Sequence, residues 1–124
     1  MRAEDLMIGD ILDYMGTAVK VYSIGAKICV KECFGKNTYI VDFDNLLKGL
    51  ELTPEILEKN GFGLQSDNTG LGTLVTYWLG SELGAFRIHN LNNDWWQFGL
   101  AKIRNVHELQ HAMRLCGIEK EVVL

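Results

Sequence analysis

The sequence predicts an α+β fold: a small antiparallel β meander or SH3-like half-barrel at the N-terminus, two helices at about 53–60 and 106–116, and a second hairpin at about 73–100. Three observations predict it. Short segments rich in Val, Ile, Tyr and Phe recur between turn compositions in residues 7–43. Two later segments carry stop signals at both ends of a helical period. Aromatic, strand-like runs then return between residues 73 and 100. With 124 residues, 48% of them hydrophobic, and a single proline, the chain is long enough for one real core, so residues 1–124 read as a single domain.

In the N-terminal unit the strand compositions fall at 11–14, 19–24, 28–34 and 39–43. Met15-Gly16-Thr17, Gly25-Ala26 and Gly35-Lys36-Asn37 separate them as turns. Tyr39, Val41 and Phe43 alternate with Thr38, Ile40 and Asp42, the period of a half-buried strand.

The first helix opens at Thr53, whose hydroxyl can cap it, and Pro54 fits the first helical position because its missing N–H would have no partner there. Glu55 complements the positive end of the helix dipole. Gly61 ends the helix, and Phe62 folds back on Leu57. Ile56, Leu57 and Phe62 are the residues expected to dock on the sheet. The second helix opens at Asn105, with Glu108 three residues on as the other half of a capping box, and closes at Gly117 with Ile118 returning onto Met113. At about 100° per residue, Val106, Leu109, Met113 and Cys116 form its apolar stripe, with Ala112 at the edge; His107, Gln110, His111 and Arg114 fall opposite.

Between the helices, residues 63–72 are polar and glycine-bearing and read as a connector. Their glycines do not fit a phosphate-binding loop, which also needs a Lys-Ser/Thr pair. Strands resume at 73–79 and 85–89, and residues 90–94 turn into 95–100. Trp78, Phe86, Ile88, Trp96 and Phe98 are the expected core. Trp95 alternates to the other face, where with Tyr77 and Arg87 it could stack a base or a sugar. Residues 122–124 could add a last short strand.

One string carries catalytic chemistry. His107-Glu108-Leu109-Gln110-His111 matches H-E-x-x-H, in which two imidazoles one turn apart hold zinc and the carboxylate acts on the metal-bound water. His107 and His111 are the candidate ligands, Glu108 the candidate base, and His89, the only other histidine, the candidate third ligand; Glu119 and Glu121 are downstream carboxylates. Against this reading, the histidine face lies opposite the apolar stripe, capping accounts for Glu108, and Gly117 stands where the longer zinc motif has its third histidine. No cofactor is expected.

The net charge is −4 and the pI about 5.3. Residues 1–40 hold five basic and five acidic side chains, so no basic tract hides in the acidic total. This argues against a nucleic-acid partner, although Lys20, Lys27, Lys31 and Lys36 could form a weak patch on the N-terminal unit. No 18-residue apolar run or apolar leader is present, and Cys29, Cys33 and Cys116 make an odd count, so the expected setting is cytoplasmic and off the membrane. In one strand Cys29 and Cys33 would stand about 13 Å apart, too far for a disulfide.

Three blocks resemble a family of small uncharacterised proteins common in Bacteroidetes and their phages and mobile elements. LMIGDIL at 6–12 is similar to that family's L-R-I-G-N-x-V, and LTPEILEKNGF at 52–62 to its L-T-E-E-W-L-x-K-F-G-F. IRNVHELQH at 103–111, followed by Leu115, Gly117 and Glu119, resembles its I-K-Y-V-H-Q-L-Q-N-x-x-x-x-L-x-G-x-E. The resemblance implies a fold and a genomic setting, and no reaction. It replaces Glu108 with Gln and His111 with Asn, poor substitutes for a base and a ligand. Together these readings point to a non-enzymatic accessory or protein-interaction module, whose partner is another protein or a second copy. The alternatives are a zinc-dependent hydrolase and a weak nucleic-acid-binding module.

Overall fold

The structure is a computed structural model in which residues 5–41, 46–68, 73–79, 86–91, 95–99 and 101–124 are described. The described strands form two five-stranded antiparallel sheets and are accompanied by two helices, an α+β architecture. The chain groups into two compact units, Met1–Glu51 with Asn105–His107, and Leu52–Arg104 with Glu108–Leu124.

In the first unit, β1 (Ile11–Tyr14), β2 (Thr17–Ile24), β3 (Ile28–Glu32), β4 (Thr38–Val41) and β5 (Leu47–Gly49) are ordered β4-β3-β2-β1-β5. Four strands form a meander and the fifth returns beside the first. Among the described residues no ladder joins β4 to β5. Strand β5, only three residues long, was not foreseen; of the expected strand at 39–43, residues 42 and 43 lie outside the described residues. Met15 and Gly16, at φ 52° and 89°, make the two-residue turn between β1 and β2, with both central residues in the left-handed region that such a turn requires. The Asp13 carboxylate accepts from the Gly16 N–H at 2.8 Å.

A bulge decides which side chains β2 buries. The register shifts between Val21 and Ser23, so that Tyr22 and Ser23 together stand against Cys29. The extra residue lets Val21 and Ile24 both point into the core, although three positions apart they could not do so in a regular strand. That core comprises Leu6, Leu12, Val19, Val21, Ile28, Val30, Val41 and Leu47, with Tyr14, Ile24 and Tyr39 at its margin. Asp10 is fully buried, and its carboxylate accepts the Met7 N–H at 2.8 Å. The Gly9 N–H reaches Val21 O and the Val21 N–H reaches Asp10 O, so the Gly-Asp pair of the first block is a structural turn against β2.

In the second unit, α1 spans Pro54–Lys59, and β6 (Gly63–Asn68), β7 (Thr73–Leu79), β8 (Phe86–Leu91), β9 (Trp96–Phe98) and β10 (Ala101–Ile103) are ordered β10-β9-β8-β7-β6. Helix α1 is built as its sequence demands. Thr53 caps the Ile56 N–H, Gly61 takes φ 84°, and the Phe62 and Gly61 N–H groups return to Leu57 O and Glu58 O. Leu57 and Phe62 are buried and Ile56 is half-buried. Phe62 meets Phe86 edge-on at 6.2 Å, and the Tyr77 hydroxyl donates to Glu58 at 3.4 Å, so α1 lies on the sheet face that carries Tyr77 and Phe86.

The structure corrects several expectations here. The polar connector begins as strand β6, paired with β7 from Gly63↔Trp78 to Asn68↔Thr73; residues 69–72 lie outside the described residues. An edge strand needs only one neighbour, so its ladder forms without the apolar composition that marks a central strand. Strand β10 follows where no strand was expected. Tyr77, not Trp78, is the buried member of its pair: Tyr77 is edge-on to Trp96 at 5.6 Å, while Trp78 belongs to the opposite face and is half-buried. On that face its indole packs on Gly63, where an added Cβ would lie 3.1 Å from Nε1. Phe86, Ile88 and Trp96 are core as expected, and Phe98 is half-buried, stacked on Phe86 at 4.4 Å. Residues 122–124 do not form a strand. Buried Asn60 holds them, its amide pairing with both the N–H and the C=O of Val123 at 2.8 and 2.7 Å.

Helix α2 spans Val106–Leu115. Gly117, at φ 75°, closes it with the Ile118 N–H on Met113 O and the Gly117 N–H on Arg114 O, the ending its sequence predicts. The Asn105 side chain rests on Gly49, where a Cβ would collide with it, and the Val106 N–H donates to Leu50 O at 2.8 Å.

Candidate functional site

The H-E-x-x-H helix comes first because its residues are the ones with catalytic chemistry. His107 is 7% exposed and its Nδ1 is buried, so it does not lie on a solvent face as the periodicity implied; His111 is half-buried. The buried set of α2 is Val106, His107, Leu109, Ala112 and Met113. Cys116, assigned to the apolar stripe, is exposed, and Leu115 is 89% exposed. The buried stripe therefore stops at Met113.

Glu108 accepts from the Arg104 N–H at 3.1 Å, one residue before the expected donor, Asn105. This bond caps the helix entry and engages the carboxylate that a metallopeptidase would aim at a metal-bound water. His89, on β8, is hydrogen-bonded through Nδ1 to Thr76 Oγ1 at 2.9 Å. Among the described residues no three or more His, Cys, Asp or Glu side chains form a group that could hold a metal ion, and the trio His89, His107 and His111 is not one.

The two outward sheet faces carry the remaining candidates. On the first sheet, cross-strand partners Ile40 and Cys29 extend to Tyr22, whose phenol is hydrogen-bonded to Cys29. Partial burial and that bond hold the Tyr22 phenol above its ordinary value. Ile40 is 69% exposed and Tyr22 49% exposed, so the row is apolar and open to solvent. Ile8, 62% exposed, follows from the turn that bonds Gly9 to Val21 and stands beside the same end of β2. One row along, Lys20 and Lys31 face each other across β2 and β3. Burial raises the Cys33 thiol while Lys20 draws it down. Lys27 and Lys36 stand in turns at opposite ends of β3, so the structure brings together two of the four candidate lysines.

At the far end of that sheet, Glu32 organises the β3–β4 turn. It accepts the Tyr39 hydroxyl at 2.7 Å and the Asn37 amide at 3.3 Å, and a Cβ at Gly35 would collide with its carboxylate. The Tyr39 hydroxyl holds the Glu32 carboxyl below its ordinary value, and the same bond raises the Tyr39 phenol.

On the second sheet, the face opposite Tyr77 carries Trp78 against Arg87, His89 against Gln97, and Gln97 against Lys102. The Lys102 ammonium lies 4.8 Å over the Trp95 ring. Trp95 and Arg87 therefore share a face as expected. Tyr77 does not join them: it is buried, and burial and the nearby Glu58 carboxylate raise its phenol. Trp78 and Lys102 take its place, missed because consecutive aromatics at 77 and 78 leave the strand's parity undecided from sequence.

No family model matches this chain, and neither does any curated protein or solved structure.

Proposed function

We propose that this chain is a non-enzymatic accessory module of the cytoplasm that recognises a protein partner through the outward face of its first sheet. The observation that carries the reading is the Tyr22, Cys29 and Ile40 row. The row leaves two large apolar side chains, Tyr22 and Ile40, in solvent where Thr, Lys or Glu would serve an ordinary sheet surface. The neighbouring Lys20 and Lys31 select the partner's chemistry: an apolar segment bearing carboxylates. The resemblance of the blocks at 6–12, 52–62 and 103–111 to proteins of phages and mobile elements supports an accessory role in such a setting. Among the described residues, no helix is long and apolar enough to cross a membrane. A zinc hydrolase has less support, since Glu108 is engaged with Arg104 and His107 is buried.

The test is purification of the full chain from its producing cells beside Ile40→Glu and Lys20→Glu/Lys31→Glu variants. The expected result is one stoichiometric partner that both variants lose at unchanged melting temperature. A strict monomer by light scattering, with no stoichiometric partner, contradicts the reading.

A further inference from the structure

The outward face of the second sheet has a composition that neither stability nor the protein-docking reading explains. It presents two half-buried tryptophans and two exposed cations. Trp78 stands in the row of Arg87, and the next row holds His89, Gln97 and Lys102. Trp95 lies one row further and carries Lys102 over its ring. Two strands and four residue steps separate the tryptophans, about 17 Å at ordinary ladder spacing. That is a span of on the order of three nucleotides.

We propose that this face binds a short run of single-stranded nucleic acid, with bases stacking on Trp78 and Trp95 and phosphates meeting Arg87 and Lys102. The chemistry suits an unpaired strand: every base offers a π-face to a ring, and cations beside the rings neutralise the linking phosphates. The bond to Thr76 fixes the His89 ring, leaving Nε2 as its remaining polar atom. The net acidity of the chain does not oppose this, because the charge that a short strand meets is that of the face, within about 10 Å at 0.1 M salt. An acidic peptide would use the cations but gain nothing from the spacing of the rings.

The experiment is fluorescence anisotropy of labelled dT10 and U10 with the full chain at about 50 mM salt, with intrinsic tryptophan quenching read in parallel. Saturable binding is expected. Trp95→Ala should weaken it about five- to a hundredfold, while Arg87→Ala should lower the salt slope by about 0.7. Arg87→Glu, at a solvent-exposed position outside the core, should abolish binding with the melting temperature held, which separates loss of binding from loss of fold. Absence of an anisotropy change overturns the proposal. Equal competition by polyglutamate, with Trp95→Ala unaffected, also overturns it and leaves a merely anionic preference.

Discussion

The two sheets are alike in size, though the first brings its fifth strand back beside its first and the second is a plain meander, and they settle inside from outside by different means. In the first, apolar alternation does most of the work, although adjacent Ile11 and Leu12 are both buried, and a bulge at Tyr22 and Ser23 repairs it where the period fails. In the second, Tyr77 and Trp78 are adjacent, so both faces receive an aromatic ring and alternation alone is silent. Helix α1 breaks the tie, because Glu58 and Phe62 supply contacts only to the Tyr77 and Phe86 face. A sheet of uniform pattern can thus be oriented by its own sequence, whereas a sheet with aromatics on both faces is oriented by what packs on it.

The largest expected effect tests that tie-break. Tyr77→Ala removes a buried ring and should cost about 3–5 kcal/mol in chemical denaturation. Trp78→Ala uncovers Gly63 on a half-exposed face and should cost clearly less. The reverse ranking would place Trp78 in the core and undo the orientation of the second sheet.

Next come the helix endings, which are equivalent in the two helices. Gly61→Ala and Gly117→Ala each force a Cβ into the left-handed region, at φ 84° and 75°, and should each cost about 1–2 kcal/mol. Melting curves in which only one responds would break the equivalence.

Glu108 separates capping from catalysis. Glu108→Ala should lower stability by about 0.5–2 kcal/mol, as for a lost cap, and Glu108→Gln, which keeps an acceptor for the Arg104 N–H, should recover most of it. A base would tolerate neither in an activity assay, so an activity lost in both variants at unchanged stability would restore the zinc reading.

The smallest effect is electrostatic. Because the Tyr39 hydroxyl depresses the Glu32 carboxyl in the folded state, this pair's contribution is fully present above the ordinary value of 4.5 and is lost as pH falls through the lower folded value. An NMR titration of the Glu32 side chain should show its midpoint rising toward the ordinary range in Tyr39→Phe. An unmoved midpoint would remove Tyr39 as the cause.

Much of this was legible beforehand. Both helices and their glycine endings, and the cap of the first, follow from local chemistry: Thr53 and Gly61 act within their own turns, whereas the entry of the second helix is held by Leu50 O and by Glu108 on the Arg104 N–H. Strands β1 to β4 followed from β-branched composition and turn residues. What stayed hidden depended on long-range pairing. Strand β6 is polar because its place is at an edge, and β5 and β10 are three residues each, too short for any period to register. The burial of His107 was equally invisible, since one turn of helix can be covered by chain far away in sequence. The candidate surfaces were half-legible: Trp95 with Arg87, and Tyr22 beside inward Val21, were readable from parity, whereas the choice between Tyr77 and Trp78 was not.

The proposed function puts recognition on the sheet faces and not on the H-E-x-x-H helix. Its most direct test is a photo-crosslinking residue placed at Ile40 in one preparation and at Leu115, the most exposed large apolar residue of α2, in another. Discrete protein adducts from Ile40, lost on reversing the charges of Lys20 and Lys31, are the predicted result. Adducts from Leu115 with none from Ile40 would contradict it and return attention to the second helix.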